Sequence, residues 1–231
     1  MYINSDFSRL EISLSGCLEN YRYFRSKLED STKLLVLVKA NADGHGAVEF
    51  ASVMEKAGAD YMAVAYPVEG IELRQGGIKS PIMVLTTGTD SFEEMINYGL
   101  EPGIPNLCTL KALCKVLEKR EINNFPIHIK LDTGMHRLGF ITEEMDELID
   151  FLSTSDRVKV KSLYSHLAAS DDVAVSGRGP TNRAGHQPAV LPAHCRRGTG
   201  VPLAKRPSGQ AHPPCRRACR GGDGPVGGLD C

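Results

Sequence analysis

The sequence has no tryptophan, and its charge has no dominant sign: 27 Lys and Arg face 28 Asp and Glu, a net of −1. Without a basic excess, nucleic acid is not expected as the main partner. No apolar run approaches the roughly 18 residues that a membrane-spanning helix needs, so no membrane partner is expected. The opening MYINSDFSRLEIS lacks the basic flank and apolar stretch of a secretory signal. A cytoplasmic location with reduced thiols is the expectation for the seven cysteines. No Gly-x-Gly-x-x-Gly follows the first apolar run, which removes the usual dinucleotide-binding fingerprint.

A second set of absences divides the chain. After Asp172 there is no Phe, Tyr, Met, Ile or Glu. The 59 residues from 173 to 231 hold 11 Gly and 8 Pro, with nine basic residues against two acidic, a net of +7. Residues 1–172 hold 18 Lys and Arg against 26 Asp and Glu, a net of −8. Gly and Pro make up about a third of the second part, and so little apolar surface cannot offset the entropy of ordering it. Residues 1–172 are therefore expected to be the folded part, and residues 173–231 a disordered Arg/Gly/Pro-rich tail. Cys195, His212, Cys215 and Cys219 have no zinc-like spacing, so no metal is expected. The Arg excess would bind anions without specificity. The abrupt change in composition suggests that the tail is read out of frame within the same gene.

The first 172 residues carry short apolar runs at Leu34–Val38, Tyr61–Ala65, Ile82–Leu85, near Leu100–Ile104, at Ile127–Leu131 and at Val158–Ser165. Near-continuous runs of this length suit parallel strands buried on both faces. Amphipathic stretches lie at Leu14–Leu28, Ala47–Ala57, Thr109–Lys119 and Ile141–Leu152. Gly58 stands where a helix C-terminus would close. Alternation of this kind, about six βα units, predicts an α/β fold, either an open sheet or a barrel. A barrel closes with eight units. Six would leave two open edges, which invite mispairing and lower stability.

Polar clusters follow three of the strands, where a barrel keeps its active site. The first is VKANADGHG, Val38–Gly46. Lys39 there is either a strand-end lysine reaching into water or a Schiff-base amine, whose pKa burial beside other cations would lower. The second is KLDTGMHRLGF, Lys130–Phe140. It reads as a salt-bridged loop, or as a site where Arg137 grips a carboxylate with two parallel hydrogen bonds. The third is LYSHLAASDD, Leu163–Asp172, in which His166 is structural or part of an aromatic-and-hydroxyl site beside Tyr164 and Ser165.

In order and spacing, VKANADGHG, KLDTGMHRLGF and YSHLAASD resemble the signatures of alanine racemases, over roughly Ser8 to Asp172. The resemblance implies an incomplete TIM-type (β/α)8 barrel and an isomerase that interconverts L- and D-alanine for cell-wall peptidoglycan. It implies pyridoxal 5'-phosphate (PLP) held covalently by Lys39, which would also move the Cα proton on the D-alanine face. His166 would abut the cofactor ring, and Arg137 would lie beside the substrate carboxylate. Lys130 matches a lysine that is carbamylated in some members. Position 43, usually a tyrosine against the cofactor phosphate, is Asp43, which predicts weakened PLP affinity.

The family's opposing base is a tyrosine contributed across a homodimer, and no Tyr follows Tyr164. The family's β-rich second domain is not recognisable either. Little or no racemase activity is therefore expected of this chain. The rival readings are a barrel that carries PLP without racemising, whose usual lysine motif differs, and an inactive remnant. In some bacteria such a racemase is fused behind a ligase, so Met1 need not mark the start of the parent.

Overall fold

The computed structural model describes residues 10–168 and the backbone of Leu191–Pro192. Apart from those two residues, the segment expected to be a tail lies outside the described residues. Helix α1, Leu14–Arg25, begins at Ser13, whose hydroxyl accepts from the Gly16 amide at 3.2 Å. Six strands then alternate with helices. They are β1 (Leu35–Leu37), β2 (Tyr61–Val64), β3 (Ile82–Val84), β4 (Glu101–Ile104), β5 (Phe125–Lys130) and β6 (Val158–Tyr164). Each is parallel to the one before it, so spatial order equals chain order. A short β7, Leu191–Pro192, pairs antiparallel with Ser162–Leu163 on the outer edge of β6.

After β1 comes a left-handed helical turn, α2 (Lys39–Asp43), followed by α3 (Ala47–Lys56), α4 (Pro67–Gln75), α5 (Phe92–Asn97), α6 (Leu107–Lys119) and α7 (Met145–Thr154). Asn106 caps α6 by accepting from the Thr109 amide at 2.9 Å. The stop after α3 falls where the sequence places it. Gly58 takes φ +91°, its amide donates to Glu55, and the next amide, Ala59, donates to Met54. This wrap satisfies the last carbonyls of the helix and turns the chain into the next strand.

The core lies between the strands and the helices. Met62, Val64, Ile82, Val84, Ile104, Leu110, Leu113, Leu117, Ile127 and Ile129 are fully buried. Gly70 lets α4 press on the sheet, since a Cβ there would come within 3.0 Å of Leu100. His128 and Lys130 alternate with the apolar residues of β5. His128 Nδ1 lies 2.6 Å from Ser162 Oγ, and its Nε2 lies 2.9 Å from Glu101 Oε2, to which Tyr61 also donates at 3.3 Å. Four strands thus share one polar chain.

All six strands expected from the sequence are present, each within a residue or two of its expected bounds. Besides the left-handed turn α2, two helices were not anticipated. In α4 the apolar residues are spread around the axis, and α5 is only six residues long, too short to show a period. The helix expected at Ile141–Leu152 is split into a 3-10 turn at Thr142–Glu144 and α7.

Candidate active site at the strand ends

Lys39 leaves the end of β1 into an unusual backbone. Ala40, Asn41, Ala42 and Asp43 all have φ between +51° and +54°. L-residues in a left-handed turn cost roughly 1–2 kcal/mol each, and such strain gathers at functional sites. Several bonds hold the turn. The Ala40 amide donates to Glu69 Oε1 at 2.6 Å, and the Asn41 side chain accepts from the Ala47 amide at 2.7 Å. Gly44 donates to both Ala40 and Asn41, and His45 Nδ1 lies 2.6 Å from the Ala42 carbonyl.

The burial envisaged for a Schiff-base lysine is not found. The Lys39 side chain is 40% exposed, and its Nζ meets an anion, Asp43 Oδ1, at 3.4 Å. Asp43 is itself 69% exposed, so water screens this pair and it contributes little to stability.

The second cluster is a folded loop. The Phe140 amide donates to the Lys130 carbonyl and the Asp132 amide to the Phe140 carbonyl, which closes residues 132–140 at their base. A Cβ at Gly139, at φ +129°, would collide with the backbone of Leu131 and Asp132. The Asp132 carboxylate accepts from the Gly134 and His136 amides, both at 3.0 Å, and lies 3.3 Å from His136 Nδ1. Those two amides hold its carboxyl below the ordinary value. Asp132 and His136 are therefore structural partners inside the loop.

Lys130 is buried, with its Nζ 5.6 Å from the centre of the Tyr164 ring. Burial, and then the Arg137 cation, pull its amine below the ordinary lysine value, while Asp132 pulls the other way. A lysine so placed is more often neutral and hence nucleophilic. The Tyr164–Ser165 pair divides. The Tyr164 hydroxyl is buried beside Gly103 with no hydrogen-bond partner among the described residues, and desolvation raises its pKa strongly. Ser165 Oγ donates to the Leu131 carbonyl at 2.9 Å and bonds Thr133 Oγ1, tying β6 to the loop.

One cleft is lined by Lys130, Asp132, Thr133, Arg137 and His166, so the second and third clusters meet. Lys39 and Asp43 do not line it. Sequence reasoning missed Glu69, although Pro67 followed by Glu69 is a helix-start signal that would have pointed to α4. Among the described residues no group of His, Cys, Asp and Glu is arranged to hold a metal.

The fold and site define an α/β barrel portion with amine and guanidinium groups at the C-terminal ends of its strands. The chain belongs to the alanine racemase N-terminal domain family, which matches residues 12–187. It is 37% identical over 175 residues to the alanine racemase of Synechocystis, covering 71% of this chain and 44% of that protein. To the Clostridium kluyveri alanine racemase it is 38% identical over 164 residues, covering 70% and 41%. The chain thus spans less than half the length of the curated relatives it matches. Among solved structures it superposes on Clostridium difficile alanine racemase with a TM-score of 0.66 and 32% identity, over 71% of this chain and 45% of the other. A Bartonella henselae alanine racemase with covalently bound pyridoxal phosphate gives 0.65 and 26%, over 72% and 49%.

The residues present fit PLP in part. Lys39 offers an accessible primary amine to an aldehyde, and Arg137 in the cleft offers positive charge to an anionic ligand. Asp43, whose carboxylate lies beside the Lys39 amine, repels an anionic ligand there. No described helix is long and apolar enough to cross a membrane.

Proposed function

We propose that this chain derives from a PLP-dependent alanine racemase, which interconverts L- and D-alanine and supplies D-alanine for peptidoglycan. The observation that carries the reading is the amine of Lys39, held on a strained turn at the end of β1 in a chain of this family. PLP, when bound, delocalises the negative charge left at Cα once its proton is removed. Lys39 anchors the cofactor and serves as the proton-moving base on the D-alanine face. Arg137 holds the substrate carboxylate, and His166 abuts the cofactor ring. Lys130, buried and inclined to neutrality, is the lysine to which carbon dioxide adds as a carbamate, and it orients Arg137.

Racemisation needs a second base on the opposite face, a tyrosine brought by a second copy in the intact homodimer. The sequence holds no Tyr beyond Tyr164, so the chain racemises poorly or not at all. Residues 173–231 are read out of frame, and the parent acts in the cytoplasm.

Incubation with PLP, borohydride reduction and peptide mapping test the anchor. An adduct on Lys39 is expected, and its absence with the chain folded would overturn the reading. Deuterium exchange at the α-carbon of alanine then measures proton transfer. Turnover matching an intact racemase would refute the impaired state.

A further inference from the structure

The Glu69 carboxylate is shared by three parts of the fold. Its Oε1 accepts from the Ala40 amide at 2.6 Å, across 29 residues of sequence. Its Oε2 accepts from the Ala65 amide at 2.7 Å and the Tyr66 amide at 2.9 Å. One side chain thus joins the end of β2, the first turn of α4 and the residue directly after Lys39. The Ala40 N–H belongs to the peptide plane that also contains the Lys39 carbonyl. Fixing that plane fixes ψ of Lys39 and φ of Ala40, the two torsions that launch the left-handed turn.

Alanine has no intrinsic reason to enter that turn, and its ordinary preference runs the other way. A charged acceptor makes hydrogen bonds about twice as strong as a neutral one. It also sits here at the start of α4, where the helix dipole favours an anion. The carboxylate therefore opposes relaxation of the turn.

We propose that Glu69 is a positioning residue for Lys39, which it serves by clamping the Lys39–Ala40 peptide so that the amine leaves β1 in one direction. The role rests on the reading of Lys39 as the PLP anchor. Its bonds go to the Ala40, Ala65 and Tyr66 amides, so it acts through the main chain. Glutamine cannot replace it, because one of its two termini is a donor and would face an amide N–H.

The experiment compares the full chain with Glu69→Gln, and with Glu72→Gln on the exposed face of the same helix as a control. Hydrogen exchange at the Ala40 amide reads the clamp without any cofactor. Exchange about tenfold faster is expected in Glu69→Gln, the equivalent of one lost hydrogen bond, with no change in Glu72→Gln. The rate of borohydride-trapped PLP addition at Lys39, normalised to addition at other lysines, reads the amine. It should fall severalfold in Glu69→Gln only.

Unchanged Ala40 exchange, or unchanged relative labelling of Lys39, in a folded Glu69→Gln chain overturns the proposal. Should that variant fail to fold, the unaltered chain decides. A scalar coupling across the hydrogen bond, between the Ala40 nitrogen and the Glu69 carboxyl carbon, is expected, and its absence refutes the clamp. If Lys39 takes no PLP even in the unaltered chain, the anchor reading fails, while the Ala40 measurement still tests Glu69.

Discussion

Two lysines stand at the ends of strands in this fold, and their surroundings are opposite. Lys39 is half out in the solvent, directly before a backbone turn that L-residues avoid, and it faces an anion. Lys130 is buried at the end of β5, faces a cation, and precedes a loop that folds on its own aspartate. At the first corner the strain lies in the main chain and the side chain is at ease. At the second the main chain is at ease and the electrostatic cost falls on the side chain. The same motif-bearing sequence has thus prepared two amines by different means, one through direction and one through charge.

That contrast can be broken most severely at Gly139. Gly139→Ala places a Cβ against the Leu131 and Asp132 backbone at a φ that disfavours it. A loss of about 3 kcal/mol is expected by urea denaturation, together with loss of the cleft around Arg137 and His166. If the loss is under about 0.5 kcal/mol, the loop does not depend on this closure.

The next largest effect sharpens the charge side of the comparison. The Lys130 amine titrates below its ordinary value of 10.5 when folded, so between the two values the unfolded chain holds more protons than the folded one. Stability from this group therefore rises with pH through that window. Below the window the cost of a buried cation is present in full, and above 10.5 it is gone. Lys130→Met should flatten this rise and leave the chain as stable or more so at neutral pH. A steeper rise in the variant, measured by melting across pH 7 to 11, would contradict the assignment.

The smallest effect lies at Asp43. Asp43→Asn removes the partner of Lys39 and the charge that repels a phosphate, while leaving a residue that tolerates a left-handed φ. PLP should bind up to about fivefold more tightly, the scale of an exposed ion pair, by titration of cofactor absorbance. Equal affinity would mean that Asp43 turns away from the ligand.

Much of the fold was legible because its strands are buried on both faces and therefore read as unbroken apolar runs. Ile127–Leu131 and Val158–Ser165 needed no tertiary information. What escaped depends on distant partners. Nothing in PVEGIELRQ has a clean helical period, because α4 buries little more than Gly70 and Leu73. The left-handed path of Ala40–Asp43 contradicts the preference of alanine and exists only because Glu69, Ala47 and the glycines at 44 and 46 enclose it. The three clusters were visible as motifs. That two of them share a cleft which Lys39 does not line was not, because spacing along a sequence does not give distance across a barrel.

Strand order in this sheet also has a consequence in time. Because every strand from β2 to β6 docks on the one made just before it, the chain can assemble in the direction of its synthesis. At roughly 5–20 residues per second a new strand emerges every few seconds. Each addition closes a loop of modest length, so the entropic cost of a parallel sheet is met in instalments. The polar chain from Tyr61 to Ser162 is completed only when β6 arrives. His128 and Glu101 must then wait in a half-built interior, and β6 acts as a latch on everything laid down before it.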